Sequence, residues 1–156
     1  MATEEQKKES QIRMLKMIVG AMSKALFDLL GETAFAVMGG VGDEYLNVME
    51  KEMGLEIAGE TPKDVMMEVG RIFVDEIGYI NSFKIEEKDN EIDMLINGCH
   101  GYDLSKKLLS QGVNVLPCPL MNICSSAFKR MGKPVRKKVA PRIKEKGSKL
   151  TFIFVD

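Results

Sequence analysis

The chain has 156 residues, 45% of them hydrophobic and 29% charged, the size and balance of one domain that buries its own core, and this excludes an intrinsically disordered chain. Its three cysteines are an odd number in a chain too large to need disulfide staples, so reduced thiols are expected. The net charge of −1 conceals an asymmetry: residues 1–98 carry 10 Lys/Arg against 20 Asp/Glu, and residues 99–156 carry 12 against 3.

The N-terminus MATEEQKKES is polar and mixed in charge, and no uninterrupted apolar run approaches the length of a membrane span. A cytoplasmic chain without a membrane span is therefore predicted. From Glu5 to Leu30, Ile12, Leu15, Val19, Met22, Leu26 and Leu29 recur at three- and four-residue spacing, which predicts a long amphipathic helix ending at Gly31. A helix then follows that is broken or kinked around Gly39, Gly40 and Gly42 and resumes from Asp43 to Met53. The glycine cluster lacks a following GKS/T, so a helix junction or close helix packing is preferred to a phosphate loop.

Thr61, Pro62 and Asp64 form a helix start, with Val65, Val69, Ile72, Phe73 and Ile77 as the inward face and Gly78 as the stop. The period then changes to 2. Ile80, Phe83 and Ile85, the turn EKDN, and Ile92, Met94 and Ile96 read as an antiparallel hairpin. Helices are expected at Asp103–Ser110 and Leu120–Met131, and a second hairpin closes the chain, with Val135 and Val139 on one strand and Leu150, Phe152 and Phe154 on the other. This order predicts an α+β fold in one domain, 1–156: N-terminal helices (1–60) packed on an antiparallel sheet of two hairpins separated by a helical segment (62–156).

Cys99 and His100 follow the second predicted strand, and Cys118 and Cys124 flank the start of a helix. Three soft sulfur ligands and the chain's one imidazole suit a tetrahedral zinc site. Two other readings remain open: cysteines as small buried hydrophobes, and a catalytic or redox thiol, for which no second histidine is available as base.

The segment IEEKDNEIDMLINGCHGYD, continuing through LPCPLMNICSSAFKRMGKPVRKKVAPRIKEKGSKLTFIFVD, resembles the 4-vinyl-reductase-type, or hydrocarbon-binding, domain family. The shared pattern is a strand ending in cysteine, a proline-flanked cysteine opening a helix, a GKPV exit, a basic strand and a terminal alternating strand. The resemblance covers roughly residues 62–156. It implies the fold shared with a Golgi transport-complex subunit and with heme-based nitric-oxide sensors, namely an α+β homodimer enclosing an apolar cavity. It also implies a sensor role in bacterial or archaeal regulation, with output supplied by a protein partner. By position, Cys99, Cys118 and Cys124 match the thiolates of a structural zinc, with His100 or Asp103 replacing an acidic ligand that the stretch VNVLP lacks. Twelve methionines suit an adaptable apolar site, and Phe73, Ile77, Met94, Ile96, Met121 and Phe128 are nominated as its lining.

Residues 129–149 hold ten Lys/Arg against the single acid Glu145. The readings are a nucleic-acid-associated regulator using this hairpin, and a solvated strand face or pairing with the acidic half across a dimer, the last two preferred. The sequence thus points to a module that binds a small apolar ligand and carries a cysteine-rich zinc site. The nucleic-acid reading is the alternative, and a thiol or metal enzyme ranks third.

Overall fold

The computed structural model describes residues 1–114 and 117–155. The fold is α+β. Helix α1 (Glu4–Leu30) leads through a short turn, Gly31–Thr33, into α2 (Ala34–Lys51). Helix α3 (Pro62–Arg71) continues as a wider π-type turn over Ile72–Glu76, and the hairpin β1 (Ser82–Lys88) and β2 (Glu91–Asn97) follows. Helices α4 (Tyr102–Ser110) and α5 (Pro119–Arg130) precede the second hairpin, β3 (Val135–Arg142) and β4 (Gly147–Phe154).

The two hairpins join into one antiparallel sheet of order β1-β2-β4-β3. Alternation sets which face is buried: Ile92, Met94 and Ile96 of β2 lie beside Leu150 and Phe152 of β4, all at most 2% exposed. Against this face pack α3, the π-type turn that follows it, and α5, contributing Val65, Met66, Val69, Ile72, Phe73, Leu120, Ile123 and Phe128. Phe128 meets Phe152 edge-on at 5.3 Å between ring centres, a favoured aromatic geometry. On the opposite face Asp93 is also buried, and it is held by the Thr151 hydroxyl (2.5 Å) and Lys149 Nζ (2.7 Å) from the neighbouring strand.

Local chemistry accounts for the element ends. Thr61 caps α3: its hydroxyl accepts from the Asp64 N–H, while the Asp64 carboxylate accepts from the Thr61 N–H at 2.9 Å. That pairing holds the Asp64 carboxyl below its usual range. The helix predicted to run to Ile77 does reach Glu76, but its last turn widens, and Ile77 is 38% exposed and outside the core.

In two places the structure departs from the expectation. Helix α2 is continuous through Gly39, Gly40 and Gly42, with no break. Gly42 is where it lies closest to α5: a methyl group there would fall well inside 3 Å of the Asn122 carbonyl oxygen and the Ser126 hydroxyl, so close helix packing explains that glycine. Second, the helical stretch Glu4–Lys51 has the length and composition of a membrane span, with an 18-residue window of mean hydropathy 1.3 that is 17% buried.

Candidate functional site: a thiol and phenol cluster beside a cleft

Cys99 is placed by the backbone. Where β2 ends, the Gly98 and Cys99 N–H groups donate to the carbonyls of Glu145 (2.8 Å) and Lys146 (2.9 Å) in the β3–β4 turn, and the His100 N–H donates to the Tyr79 carbonyl (3.0 Å). The thiol therefore sits where both hairpins meet the segment after α3. Its sulfur accepts from the Gly101 N–H at 3.3 Å. A side chain at Gly101 would lie 2.5 Å from the Tyr79 hydroxyl and 3.7 Å from the Cys99 sulfur, so glycine leaves room for both groups.

Cys118 is the residue before α5 and adopts the extended backbone of a helix cap, with Pro119 at the first helical position. The Met121 and Leu120 N–H groups at the start of the helix favour the thiolate. Burial outweighs them and pushes the Cys118 thiol up to about 12, with the charge of Cys99 adding to the rise. Cys124, six residues further along in α5, is fully buried, and burial followed by the charge of Cys118 raises its thiol also. Cys99 is raised by burial, partly opposed by the Gly101 N–H and by Lys16. Burial raises the Tyr79 and Tyr45 phenols in the same way, with Cys118 acting on both and Cys99 on Tyr79. The three cysteines and two tyrosines thus form one electrostatically connected cluster, held neutral at pH 7 because the surroundings are apolar.

Sequence reasoning missed one cation here. Lys137 lies between Val135 and Val139 on β3, and alternation turns all three toward the core. Burial lowers the Lys137 amine, the Cys118 charge opposes that shift, and Nζ donates to Asn122 Oδ1 at 3.3 Å. The same alternation that identified the valines as inward carried the signal. Asn122 is fully buried, and its Nδ2 has no partner among the described residues.

Among the described residues no three His, Cys, Asp or Glu side chains converge closely enough to hold a metal ion. His100 is exposed, its ring 6.1 Å from that of Tyr79, and Asp103 is exposed on α4. Of the six residues nominated as ligand lining, Phe73, Met94, Ile96, Met121 and Phe128 are each at most 3% exposed and pack in the main core; Ile77 lies outside it.

A large cleft lies elsewhere among the described residues. It has a volume of about 1040 Å³ and runs between α1 and α4, with Ile12, Met17, Ala21, Leu104 and Leu108 as its apolar lining. The helices touch at Gly20, where a side chain would meet Leu104 Cδ1 at 2.6 Å. One end reaches His100, whose carbonyl accepts from Lys16 Nζ at 2.8 Å. The cleft thus ends one residue from Cys99.

No curated protein sequence matches this chain. The sequence profile of the family described as "putative rubredoxin C-terminal domain" matches residues 15–155, from within α1 to the end of β4, and the chain belongs to that family.

Proposed function

We propose that this chain is a small-ligand-binding module of the hydrocarbon-binding type, with Cys99, Cys118 and Cys124 as the soft donors of a metal centre beside the ligand. The observation that carries the reading is the grouping of three free thiols, Cys124 buried and Cys99 and Cys118 half-buried, around the β2–α4 turn and the start of α5. Neutral thiols bring no charge into the core, and a soft divalent ion would replace their protons and supply the compensating charge. The family description, which names rubredoxin, supports a metal-binding role.

The donor set limits the kind of centre. Three cysteines cannot complete a site of four thiolates, so a rubredoxin-type iron site does not fit within this chain. Three thiolates with His100 fit zinc by donor chemistry. Because the donors do not converge among the described residues, binding requires the Gly98–Gly101 turn to move toward α5. Gly98 and Gly101 flank Cys99 and His100 in that turn. The apolar ligand is assigned to the α1–α4 cleft, whose end at His100 would couple ligand occupancy to that turn.

Metal analysis of protein purified without chelator, followed by zinc titration, tests the centre. About one zinc per chain is expected, with affinity rising as pH rises because thiols must lose protons, and with Cys118→Ser losing the metal and lowering the melting temperature. Protein that binds no zinc and melts normally as Cys118→Ser overturns the metal centre. The cleft is tested separately with 1-aminoanthracene: Ala21→Trp, at an exposed cleft position, should abolish saturable binding, and unchanged binding removes the cleft as the ligand's seat.

A further inference from the structure

The charges around the α1–α4 cleft are not balanced. Four cations line it, Arg13, Lys16, Lys24 and Lys107, against two carboxylates, Glu9 and Asp103. Two contacts fix how the helices run along it: Lys16 Nζ meets the His100 carbonyl at 2.8 Å, and Gly20 lies against Leu104. Both helices therefore run in the same sense. Glu9 and Asp103 fall on the His100 side of the Gly20–Leu104 contact, and one turn beyond it Lys24, Lys107, Leu108 and Gln111 line the opposite end. Among the described residues no carboxylate lines that far end. Lys24 is half-buried and pairs with Asp28, which lies one turn along α1 and outside the cleft. Lys107 is exposed and has no ion pair among the described residues. Between the two ends the wall is apolar, with Met17, Ala21 and Leu104. From Ile12 to Lys24 it extends about 18 Å, by the rise of a helix.

We propose that the ligand of this cleft is a single-chain amphipathic anion, its tail along the apolar wall toward Ile12 and its anionic oxygen head, a carboxylate or a phosphate, at Lys24 and Lys107. The inference rests on the assignment of the ligand to the cleft and is independent of the metal centre. A neutral hydrocarbon covers the wall equally well. It also takes water from the nearby ammonium groups and offers them no acceptor, which costs free energy. An anionic head supplies the acceptor and the charge that Lys107 lacks, while the stems of both lysines lie along the tail with their amines at the rim. A cationic amphiphile meets repulsion at the same place. In this orientation the tail, not the head, approaches the turn that carries Cys99, so chain length sets whether the ligand reaches it.

Calorimetric titration of the full chain with decanoate, decyl phosphate, 1-decanol and decyltrimethylammonium, each below its micellar concentration, tests this. At least one of the two anions is expected to bind about tenfold more tightly than 1-decanol at low salt, and which of them does so identifies the head. The advantage should shrink as salt rises, and the cation should bind most weakly. Lys107→Glu should abolish the advantage and leave 1-decanol unchanged. Lys133→Glu makes the same change in net charge at an exposed position outside the cleft and should leave the ranking intact. Binding of 1-decanol as tightly as both anions, or an advantage that persists in Lys107→Glu, overturns the anionic head while the cleft stands as the seat of an apolar ligand. Failure of all four to bind overturns the cleft assignment and the anionic ligand together.

Discussion

At the scale of single residues, the cluster around Cys118 makes a definite statement about pH. The Cys118 thiol rises from 9.0 to about 12 on folding, so between those values the unfolded chain has released a proton that the folded chain retains. Stability contributed by the neutral thiol is complete below pH 9 and declines as pH climbs toward 12, by up to about 1.4 kcal/mol per pH unit for each such group. Cys99, Cys124, Tyr45 and Tyr79 are raised as well and act in the same direction at the alkaline end. Metal-free protein is therefore expected to lose denaturant midpoint steeply above pH 9. Removing one contributor, as in Cys124→Ala, should make that loss shallower. An alkaline profile with the same slope in the variant would show that these thiols titrate normally. Burial lowers the Lys137 amine beside these thiols, and the Cys118 charge opposes that shift.

At the scale of elements, the packing of α2 on α5 depends on a single absent side chain. Gly42→Ala places a methyl group against the backbone carbonyl of Asn122, and backbone cannot rotate aside as a flexible side chain can. A loss of about 1–3 kcal/mol is expected from such overpacking, read as a fall in urea midpoint with the slope unchanged; a neutral Gly42→Ala would mean that the helices are not held so tightly. This contact also shows what the sequence could and could not convey. The capping pair Thr61 and Asp64, the alternation of Ile92, Met94 and Ile96, and the proline-flanked cysteine opening α5 are local signals, and each marked its element correctly. The glycines in α2 looked like a break because helix propensity disfavours them, whereas tertiary contact at Gly42 makes that position useful. The nominated ligand residues show the opposite limit. Met94, Met121 and Phe128 have the apolar periodicity of a lining or of a core, and only three-dimensional packing tells the two apart; here they are core. The cleft went unseen because it depends on how far α1 stands from α4, a distance that no spacing along the chain encodes.

At the scale of the whole molecule, the acidic and basic halves meet within one chain. Lys129 pairs with Asp43, Arg130 with Glu50 through both guanidinium nitrogens, and Lys149 with Asp93. Lys137 is turned inward and Arg142 is held by Glu145 and Asn97. Half of the ten basic residues in the 129–149 stretch are thus already engaged, and those remaining are spread over a strand and a turn. Duplex DNA is expected to show only weak binding, lost between 50 and 200 mM salt, in an electrophoretic or anisotropy titration; tight binding that survives physiological salt would restore the nucleic-acid reading. The join between β2 and β4 has a further consequence, in the order of assembly. Each hairpin can close locally, but Glu91–Leu95 reaches Lys149–Ile153 only after the intervening α4 and α5 have folded back, and such long-range pairing is slow to form. The bonds that fix Cys99 against Glu145 and Lys146 belong to that last step. Cys99 is therefore expected to gain its final surroundings with that long-range step and to stay accessible to thiol reagents in a newly made chain until the join forms.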